Sequence, residues 1–228
     1  MCTPQCIIFG VLNLPKEELQ GRKVLEVGSY DVNGSLRPIL ESWGPAEYVG
    51  VDIERGPGVD VVCRAEDVVE LFGKESFDIV ISTELLEHVK DWRVVISNIK
   101  NICTTNGTIL ITTRSYGFRY HGHPYDFWRF ELADMEHIFS DCIIKKLEED
   151  NLAPGVFIKA QKPTRFIEKD LSDYELYSII ADKRVRELDE QVLRAFRKGY
   201  RRRVFFRSLE KSVKKSMSGM RRFLLLDR

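Results

Sequence analysis

The feature that most constrains the fold is a pair of apolar strands, each carrying a carboxylate near its carboxyl end. The first run, residues 23–27, contains Glu26 and leads directly into Gly28. A turn rich in Gly, Asp and Asn follows, then a stretch long enough for a helix, then a second run at residues 47–52 that ends on Asp52. This order is typical of a nucleoside-binding βαβ unit.

Strand-like and helix-like segments go on alternating between residues 22 and 162. The predicted strands span residues 23–27, 47–52, 59–62, 77–82, 107–113, 143–149 and 155–160, and the predicted helices span 34–43, 65–72, 92–103 and 131–139. The first, second, fourth and fifth strands are rich in Val and Ile, as parallel strands buried on both faces are. A short turn joins the last two strands, so we expect them to pair antiparallel at the sheet edge. The predicted fold is α/β, a Rossmann-like doubly wound seven-stranded sheet with the last strand antiparallel.

The pattern changes after Pro163, and we therefore predict two regions, residues 1–163 and 164–228. Residues 172–227 contain no proline, which favours a mostly helical extension. Its apolar residues recur at spacings of three and four with basic residues between them, as in an amphipathic helix. They are Phe205, Leu209, Val213, Met217, Met220 and Leu224.

The net charge of zero conceals a strong asymmetry. Residues 194–228 hold 13 basic and 2 acidic side chains, whereas the other 193 residues hold 22 basic and 33 acidic ones. The basic helix could pack on the acidic body or on a second subunit, or it could lie on an anionic membrane surface. Nucleic-acid binding through phosphates is disfavoured, because the chain lacks the Asn/Asp-Pro-Pro-aromatic motif of base amino-methylation.

The cysteine pattern indicates the compartment. The five cysteines are scattered and form no C-x-x-C pair, which argues against a disulfide framework and against a structural zinc site. No basic residues precede the apolar stretch at residues 7–12, so we do not expect a signal peptide. The prediction is a cytoplasmic protein, with the inner membrane face as a second location.

The first turn does not match a dinucleotide-binding fingerprint. Gly28 lets the backbone approach a ligand closely, but the glycine pair of G-x-G-x-x-G is missing around it. Asp52 can accept hydrogen bonds from both hydroxyls of a ribose, because an ionised carboxylate has two acceptor oxygens. Glu66 and Asp67 follow the third strand, where a carboxylate would reach an adenine amino group or would cap the next helix.

A longer set of motifs resembles a known family. Val24-Leu-Glu-Val-Gly-Ser, Tyr48-Val-Gly-Val-Asp52, and Phe77-Asp-Ile-Val-Ile-Ser-Thr-Glu-Leu-Leu-Glu-His-Val89 are together similar to class I S-adenosylmethionine-dependent methyltransferases of the type 11 group. The resemblance covers about residues 20 to 162. It implies a seven-stranded sheet and S-adenosylmethionine as cofactor, with S-adenosylhomocysteine as product.

The resemblance also implies site residues by position. Glu26 and Gly28, with the adjoining Ser29, would contact the methionine moiety of the cofactor. Asp52 would hold the ribose, Ile53 would flank the adenine, and Glu66 or Asp67 would bind its amino group. Thr83 and Glu84 would line the methyl-transfer site. The Asp31-Val-Asn33 segment departs from the family pattern, since many members have a second glycine there.

The segment after the fifth strand, residues 113–130, lies where open α/β sheets bind ligands. Its histidines His121 and His123 are candidate general bases, since imidazole titrates near neutral pH. Tyr116, Tyr125 and Arg129 are candidate acceptor-binding residues. Alternatively, Arg129 pairs with Asp126 to hold the loop, while Trp128 and Phe130 pack into the core. His88 is expected to hold the loop beneath the cofactor.

We therefore predict methyl transfer to a small-molecule or glycan acceptor, at a hydroxyl. The alternatives are an NAD(P)-dependent oxidoreductase, disfavoured by the missing G-x-G-x-x-G, and a non-catalytic nucleoside-binding or scaffold protein of the same fold.

Overall fold

The computed structural model describes residues 3–122, 125–200 and 202. The chain divides into two compact units, Met1–Arg186 and Glu187–Arg228. Residues 164–186 belong to the first unit, whereas the second region was predicted to begin at residue 164.

The first unit is built on a seven-stranded sheet of order β3-β2-β1-β4-β5-β8-β7. Its strands are β1 (Lys23–Val27), β2 (Glu47–Asp52), β3 (Val61–Val62), β4 (Phe77–Thr83), β5 (Cys103–Arg114), β7 (Ile143–Glu149) and β8 (Gly155–Gln161). The first five pair in parallel, and β8 runs antiparallel to both β5 and β7. The predicted topology is confirmed, including the antiparallel pair at the edge.

Helices cover the sheet. They are α1 (Pro4–Asn13), α2 (Lys16–Leu19), α3 (Arg37–Glu41), α4 (Val68–Phe72), α5 (Trp92–Ile102) and α6 (Leu132–Ile138), with short 3-10 helices at Ala65–Asp67 and Leu86–His88. The first two were not predicted. The helix predicted over residues 34–43 is shorter than expected, because a turn in which Gly34 donates to Asp31 Oδ1 occupies its start.

Helix α1 forms part of the core on one face of the sheet. Its Cys6 and Phe9 are buried against Val24 of β1, Ile79 of β4 and Leu110 of β5. Thr3 caps the helix by accepting a hydrogen bond from the Cys6 amide, and Pro4 occupies its first position, where the missing amide proton costs nothing. The apolar stretch noted in the sequence is thus a core helix.

A second sheet corrects the prediction for the chain after residue 171. Strands β6 (Trp128–Arg129), β9 (Leu176–Ser178) and β10 (Lys183–Val185) form a three-stranded antiparallel sheet of order β10-β9-β6. The helix expected from residue 172 is therefore wrong for residues 172–189. The reason is tertiary: β9 pairs with β6, which lies in the segment that follows β5, and no local pattern reveals this partner.

In the second unit, residues 190–200 are helical. The amphipathic positions from Phe205 to Leu224 lie outside the described residues. In the described part of the chain, no helix combines the length and apolarity needed to cross a bilayer.

Candidate functional site

The candidate site lies at one edge of the main sheet, where the parallel strands end. The registers place Glu26 of β1 beside Gly50 of β2 and Ile81 of β4. The loops after β1, β2, β4 and β5 therefore leave the sheet side by side, as in other open α/β folds that bind ligands at this edge.

The loop after β1 turns at Gly28, which has φ +83. A Cβ atom there would lie 3.0 Å from Leu85 Cβ, so a side chain would be both strained and crowded. The amides of Gly28 and Ser29 both donate to the Val51 carbonyl, at 2.9 and 3.0 Å. The turn is thereby fixed onto β2.

Ser29 packs beneath this turn. Its hydroxyl is buried, and it has no hydrogen-bond partner among the residues that the structure describes. A Cβ atom on Gly50 would lie 2.7 Å from Ser29 Oγ, so the hydroxyl faces β2. The cofactor contact predicted for Ser29 therefore does not involve its side chain as it is placed here.

Glu26 is buried beneath the same edge. Its carboxylate accepts a hydrogen bond of 2.9 Å from the hydroxyl of Tyr48. Burial raises the pKa of Glu26 to about 7, and the Tyr48 hydrogen bond and the charge of Arg37 only partly offset this. Arg37 lies over the Tyr48 ring, 5.0 Å from its centroid, and binds Asp60.

Asp52 ends β2 in a half-buried position. Its Oδ2 accepts a hydrogen bond from the Tyr30 amide at 3.3 Å, and its Oδ1 accepts one from the Glu54 amide at 3.2 Å. Both bonds come from backbone amides and are longer than the usual bond to a carboxylate. Since a carboxylate has about four acceptor positions, Asp52 keeps capacity for the two hydroxyls of a ribose.

Beside Asp52 there is an open cleft of about 570 Å³ lined by Ile53, Cys63, Arg64, Asp67 and neighbouring residues. The Ile53 side chain is exposed. Glu66 is not part of this lining, and its carboxylate is 3.1 Å from the Arg64 guanidinium. Of the two carboxylates predicted to bind an adenine amino group, Asp67 is the one that borders the cleft.

Thr83 is the last residue of β4, and Glu84 follows it. Both are buried, and Glu84 has φ +55, a conformation that residues other than glycine seldom adopt. Its carboxylate forms an ion pair with the buried guanidinium of Arg114 and accepts a hydrogen bond from the Cys6 thiol at 3.4 Å. Burial is the main cause that raises the pKa of Glu84, and the negative charge of Glu87 adds to it. The positive charge of Arg114 opposes the shift.

The loop after β5 is held by a buried ion pair. Arg129 donates to both carboxylate oxygens of Asp126, at 2.5 and 2.8 Å, and its remaining hydrogen bonds go to the carbonyls of Phe118, Arg119 and Trp128. All three guanidinium nitrogens are engaged and 1% of the residue is exposed. The acceptor-binding role predicted for Arg129 is corrected: the alternative, that Arg129 holds the loop while Trp128 and Phe130 are buried, matches the structure.

His121 lies inside this loop between two carboxylates. Its Nδ1 is 2.8 Å from Asp126 Oδ2, and its Nε2 is 3.6 Å from Glu87 Oε1. Burial lowers the pKa of His121, but Asp126 and Glu87 outweigh burial and raise it to about 9. Glu87 is itself fully buried, and its Oε2 accepts a hydrogen bond of 2.8 Å from Thr113.

His88 completes the group. Its Nδ1 lies 2.5 Å from the Tyr125 carbonyl, and its ring is 4.7 Å from that of His121. Since a carbonyl oxygen only accepts, His88 carries a proton on Nδ1. His88 thus links the segment after β4 to the loop that follows β5.

The other two residues predicted to bind the acceptor, Tyr116 and Tyr125, contact aromatic rings of the protein. The exposed Tyr116 packs edge-on against the Tyr177 ring, with centroids 4.8 Å apart. The Tyr125 ring packs against Phe127, with centroids 5.5 Å apart. His123 lies outside the described residues. No role was predicted for Glu87, although it adjoins His88 in the motif that includes β4.

The sequence of residues 7–148 matches the family described as a methyltransferase domain. Among curated proteins, none matches the chain.

Solved structures of methyltransferases share the fold. An S-adenosylmethionine-dependent methyltransferase from Mesorhizobium loti is 14% identical, with a TM-score of 0.52 over 66% of this chain and 94% of its own. The 1,6-didemethyltoxoflavin-N1-methyltransferase of Burkholderia thailandensis, with bound 1,6-didemethyltoxoflavin and S-adenosylhomocysteine, is 15% identical, with a TM-score of 0.56 over 70% and 77%. The phosphoethanolamine N-methyltransferase 2 of Haemonchus contortus, in complex with S-adenosyl-L-methionine, is 18% identical, with a TM-score of 0.50 over 64% and 49%.

Proposed function

This chain belongs to the family of methyltransferase domains, whose methyl donor is S-adenosylmethionine, and we propose that it methylates a hydroxyl group of a small molecule or glycan. Membership in this family argues against the alternative of an NAD(P)-dependent oxidoreductase.

The residues at the strand ends fit the cofactor. Asp52 has unused acceptor capacity for a ribose, and the cleft beside Ile53 and Asp67 is open to a flat ring. Gly28 has no Cβ to obstruct a ligand at the first turn. The ammonium group of the methionine moiety would bind beside Glu26. There it would contact the adjoining backbone and the Tyr48 hydroxyl, which donates a hydrogen bond to Glu26. We propose Asp52, Ile53, Asp67, Gly28 and Glu26 as the cofactor-binding set.

The chemistry asks the protein mainly to position two groups. When bound, the cofactor supplies a sulfonium methyl group with a good leaving group. The protein aligns an acceptor oxygen with that methyl group and removes the proton that a hydroxyl loses on methylation. We propose that Thr83, the last residue of β4, and the adjoining Glu84 border the methyl-transfer site.

The observation that carries the proposal of a hydroxyl acceptor is the placement of His121. It is held by Asp126 and Glu87 within the loop that follows β5, next to the end of β4. A hydroxyl loses a proton on methylation, whereas an amine that arrives uncharged needs no proton acceptor for the transfer. Because Asp126 and Glu87 raise the pKa of His121 to about 9, His121 would accept that proton in its neutral form, which predominates only at alkaline pH. His123, in the same loop, is the second proposed proton acceptor.

The test is product formation with matched acceptors. The full chain is incubated with S-adenosylmethionine and pairs of sugars or phenols that differ only in carrying a hydroxyl or an amine at one position. Release of S-adenosylhomocysteine is followed by mass spectrometry. We expect release with the hydroxyl members, and replacement of His121 or His123 by Gln to reduce turnover more than His137→Gln does. Turnover with the amine members alone would contradict the proposal.

For the basic second unit we propose packing on the acidic body or on another copy of the chain, with binding to an anionic membrane as the competing case. The described helix already presents Arg194, Arg197, Lys198 and Arg202 around one cleft. Cosedimentation with anionic vesicles, comparing the full chain with a truncation after Leu193, separates the cases. Lipid-dependent pelleting of the full chain alone would favour the membrane.

A further inference from the structure

Three side chains from two segments of the chain, the turn after β4 and the loop after β5, converge on one point. Glu87 Oε1 lies 3.9 Å from His88 Nε2 and 3.6 Å from His121 Nε2. One ligand atom from each of the three lies within 4.8 Å of the other two. Two of these residues adjoin each other after β4, and the third is contributed by the loop after β5.

The opposite atom is hydrogen-bonded in two of these side chains, and in the third it faces a carboxylate. His88 Nδ1 donates to the Tyr125 carbonyl, and His121 Nδ1 faces Asp126 Oδ2 at 2.8 Å. Glu87 Oε2 accepts from the Thr113 hydroxyl. Contacts of this kind fix the tautomer and the orientation of histidines that bind metals through the other nitrogen. They leave Nε2, Nε2 and Oε1 directed towards one another.

One of these atoms lacks a partner. Glu87 Oε1 is buried and accepts no hydrogen bond from the residues described, a state that is rare for a buried polar atom. The side chains of His88 and His121 are 17% and 12% exposed, whereas that of Glu87 is fully buried. The cluster is therefore enclosed on the Glu87 side and accessible on the histidine side.

We propose that Glu87, His88 and His121 bind one divalent transition-metal ion of the Zn²⁺ type, with at least one coordination position left open. Two nitrogen or oxygen ligands about 2.1 Å from a tetrahedral ion are about 3.4 Å apart, close to the two separations from Glu87 Oε1. Two histidines and one glutamate form a ligand set known for catalytic zinc, where three protein ligands leave the fourth position to water or substrate.

The metal-binding claim is independent of the proposed function, but the role of the metal rests on it. A hydroxyl bound at the open position would lose its proton more readily, because a metal ion lowers the pKa of an oxygen that it coordinates. With the metal bound, His121 would act as a ligand instead of the proton acceptor, the metal would lower the pKa of the acceptor hydroxyl, and His123 would take its proton.

Metal binding is tested on the full chain without acceptor or cofactor. The protein is treated with a chelator, dialysed, and titrated with Zn²⁺ by calorimetry, and Co²⁺ absorption then reports the ligand type. We expect a site that binds one ion per chain, a Co²⁺ spectrum without a thiolate charge-transfer band, and a rise in melting temperature with Zn²⁺. Absence of a stoichiometric site, or thiolate ligation of the only one, would overturn the proposal.

Variants localise the site. We expect His121→Gln and Glu87→Gln to weaken Zn²⁺ binding at least 10-fold, a loss within the usual effect of altering a metal site. His137→Gln is the matched control: it removes a histidine of α6 that stacks on Tyr174, with ring centroids 4.2 Å apart, away from the cluster. Equal weakening in all three variants, or in none, would contradict the assignment. If Glu87→Gln fails to fold, the wild-type titration and His121→Gln decide.

The two proposals fail in different ways. A chain that binds Zn²⁺ through these residues but methylates only amines contradicts the hydroxyl acceptor alone. A chain that methylates hydroxyls equally well after chelation contradicts the catalytic role of the metal, and a chain that methylates hydroxyls but binds no Zn²⁺ in the titration contradicts the metal site alone.

Discussion

Arg129 and Asp126 form a buried ion pair within one loop, in which the guanidinium donates to both carboxylate oxygens. The same Asp126 Oδ2 accepts a hydrogen bond of 2.9 Å from the His121 amide and lies 2.8 Å from His121 Nδ1. Arg129 lowers the pKa of Asp126 well below its usual range against the opposing effect of burial, and His121 contributes further. The pair therefore positions His121 as well as the loop.

The first prediction follows from this pair. Arg129→Met leaves Asp126 buried without its main counterion, so we expect a loss of about 3–5 kcal/mol in the free energy of unfolding. Urea denaturation measures it. Arg119→Met, which removes an exposed arginine of the same loop, is the control and should cost less than about 0.5 kcal/mol. Similar losses in both variants would mean that the pair does not hold the loop.

The second prediction concerns Gly28. A matched comparison is available, because Gly21 also has a positive φ, +72, but a Cβ there would meet nothing within 4 Å. We expect Gly21→Ala to cost about 1 kcal/mol through backbone strain alone. Gly28→Ala should cost at least about 1 kcal/mol more, because its Cβ would also press on Leu85. Unfolding midpoints of the two variants test this, and equal values would disprove the contribution of Leu85.

The third prediction tests the ribose assignment. Asp52→Ala removes two charge-assisted hydrogen bonds to the cofactor, each worth about 1.5–3 kcal/mol, so we expect the affinity for S-adenosylmethionine to fall at least about 100-fold. Glu54→Ala controls for the neighbouring charge, since only the Glu54 amide contacts Asp52. Calorimetric titration measures both affinities. Unchanged affinity in Asp52→Ala would remove the ribose role.

The fourth prediction uses the raised pKa of Glu26. Burial raises it from 4.5 to about 7, so folding takes up a proton between those values, and the stability due to Glu26 is lost as pH rises through them. Relative to Glu26→Gln, which does not titrate there, the wild type should lose on the order of 3 kcal/mol between about pH 5 and pH 8. Denaturant unfolding at both pH values tests this. The exposed Glu47→Gln serves as control, and a pH-independent difference for Glu26→Gln would show that Glu26 is not buried as described.

Local periodicity predicted the main sheet well. Strand β1 and strands β7 and β8 lie where their residues indicated, and the antiparallel pairing followed from the short turn between the last two. These features are encoded by neighbouring residues, through strand propensity, glycine turns and the run of buried Val and Ile. For the same reason Glu26 and Asp52 could be assigned to the ligand-binding edge: a residue at the end of a parallel strand has its position set by that strand.

Contacts between distant segments were beyond such reasoning. Strand β9 is stabilised by pairing with β6, so its own residues carried no sufficient signal and were taken for helix. Arg129 looked like a ligand-binding cation until its partners within the loop became visible. The sequence by itself determined the α/β fold, the family and the sheet edge at which Glu26 and Asp52, the carboxylates proposed to bind the cofactor, lie. Only the tertiary structure decided that His121 lies close to Glu87 and His88, because this cluster depends on how the loop after β5 folds back over the end of β4.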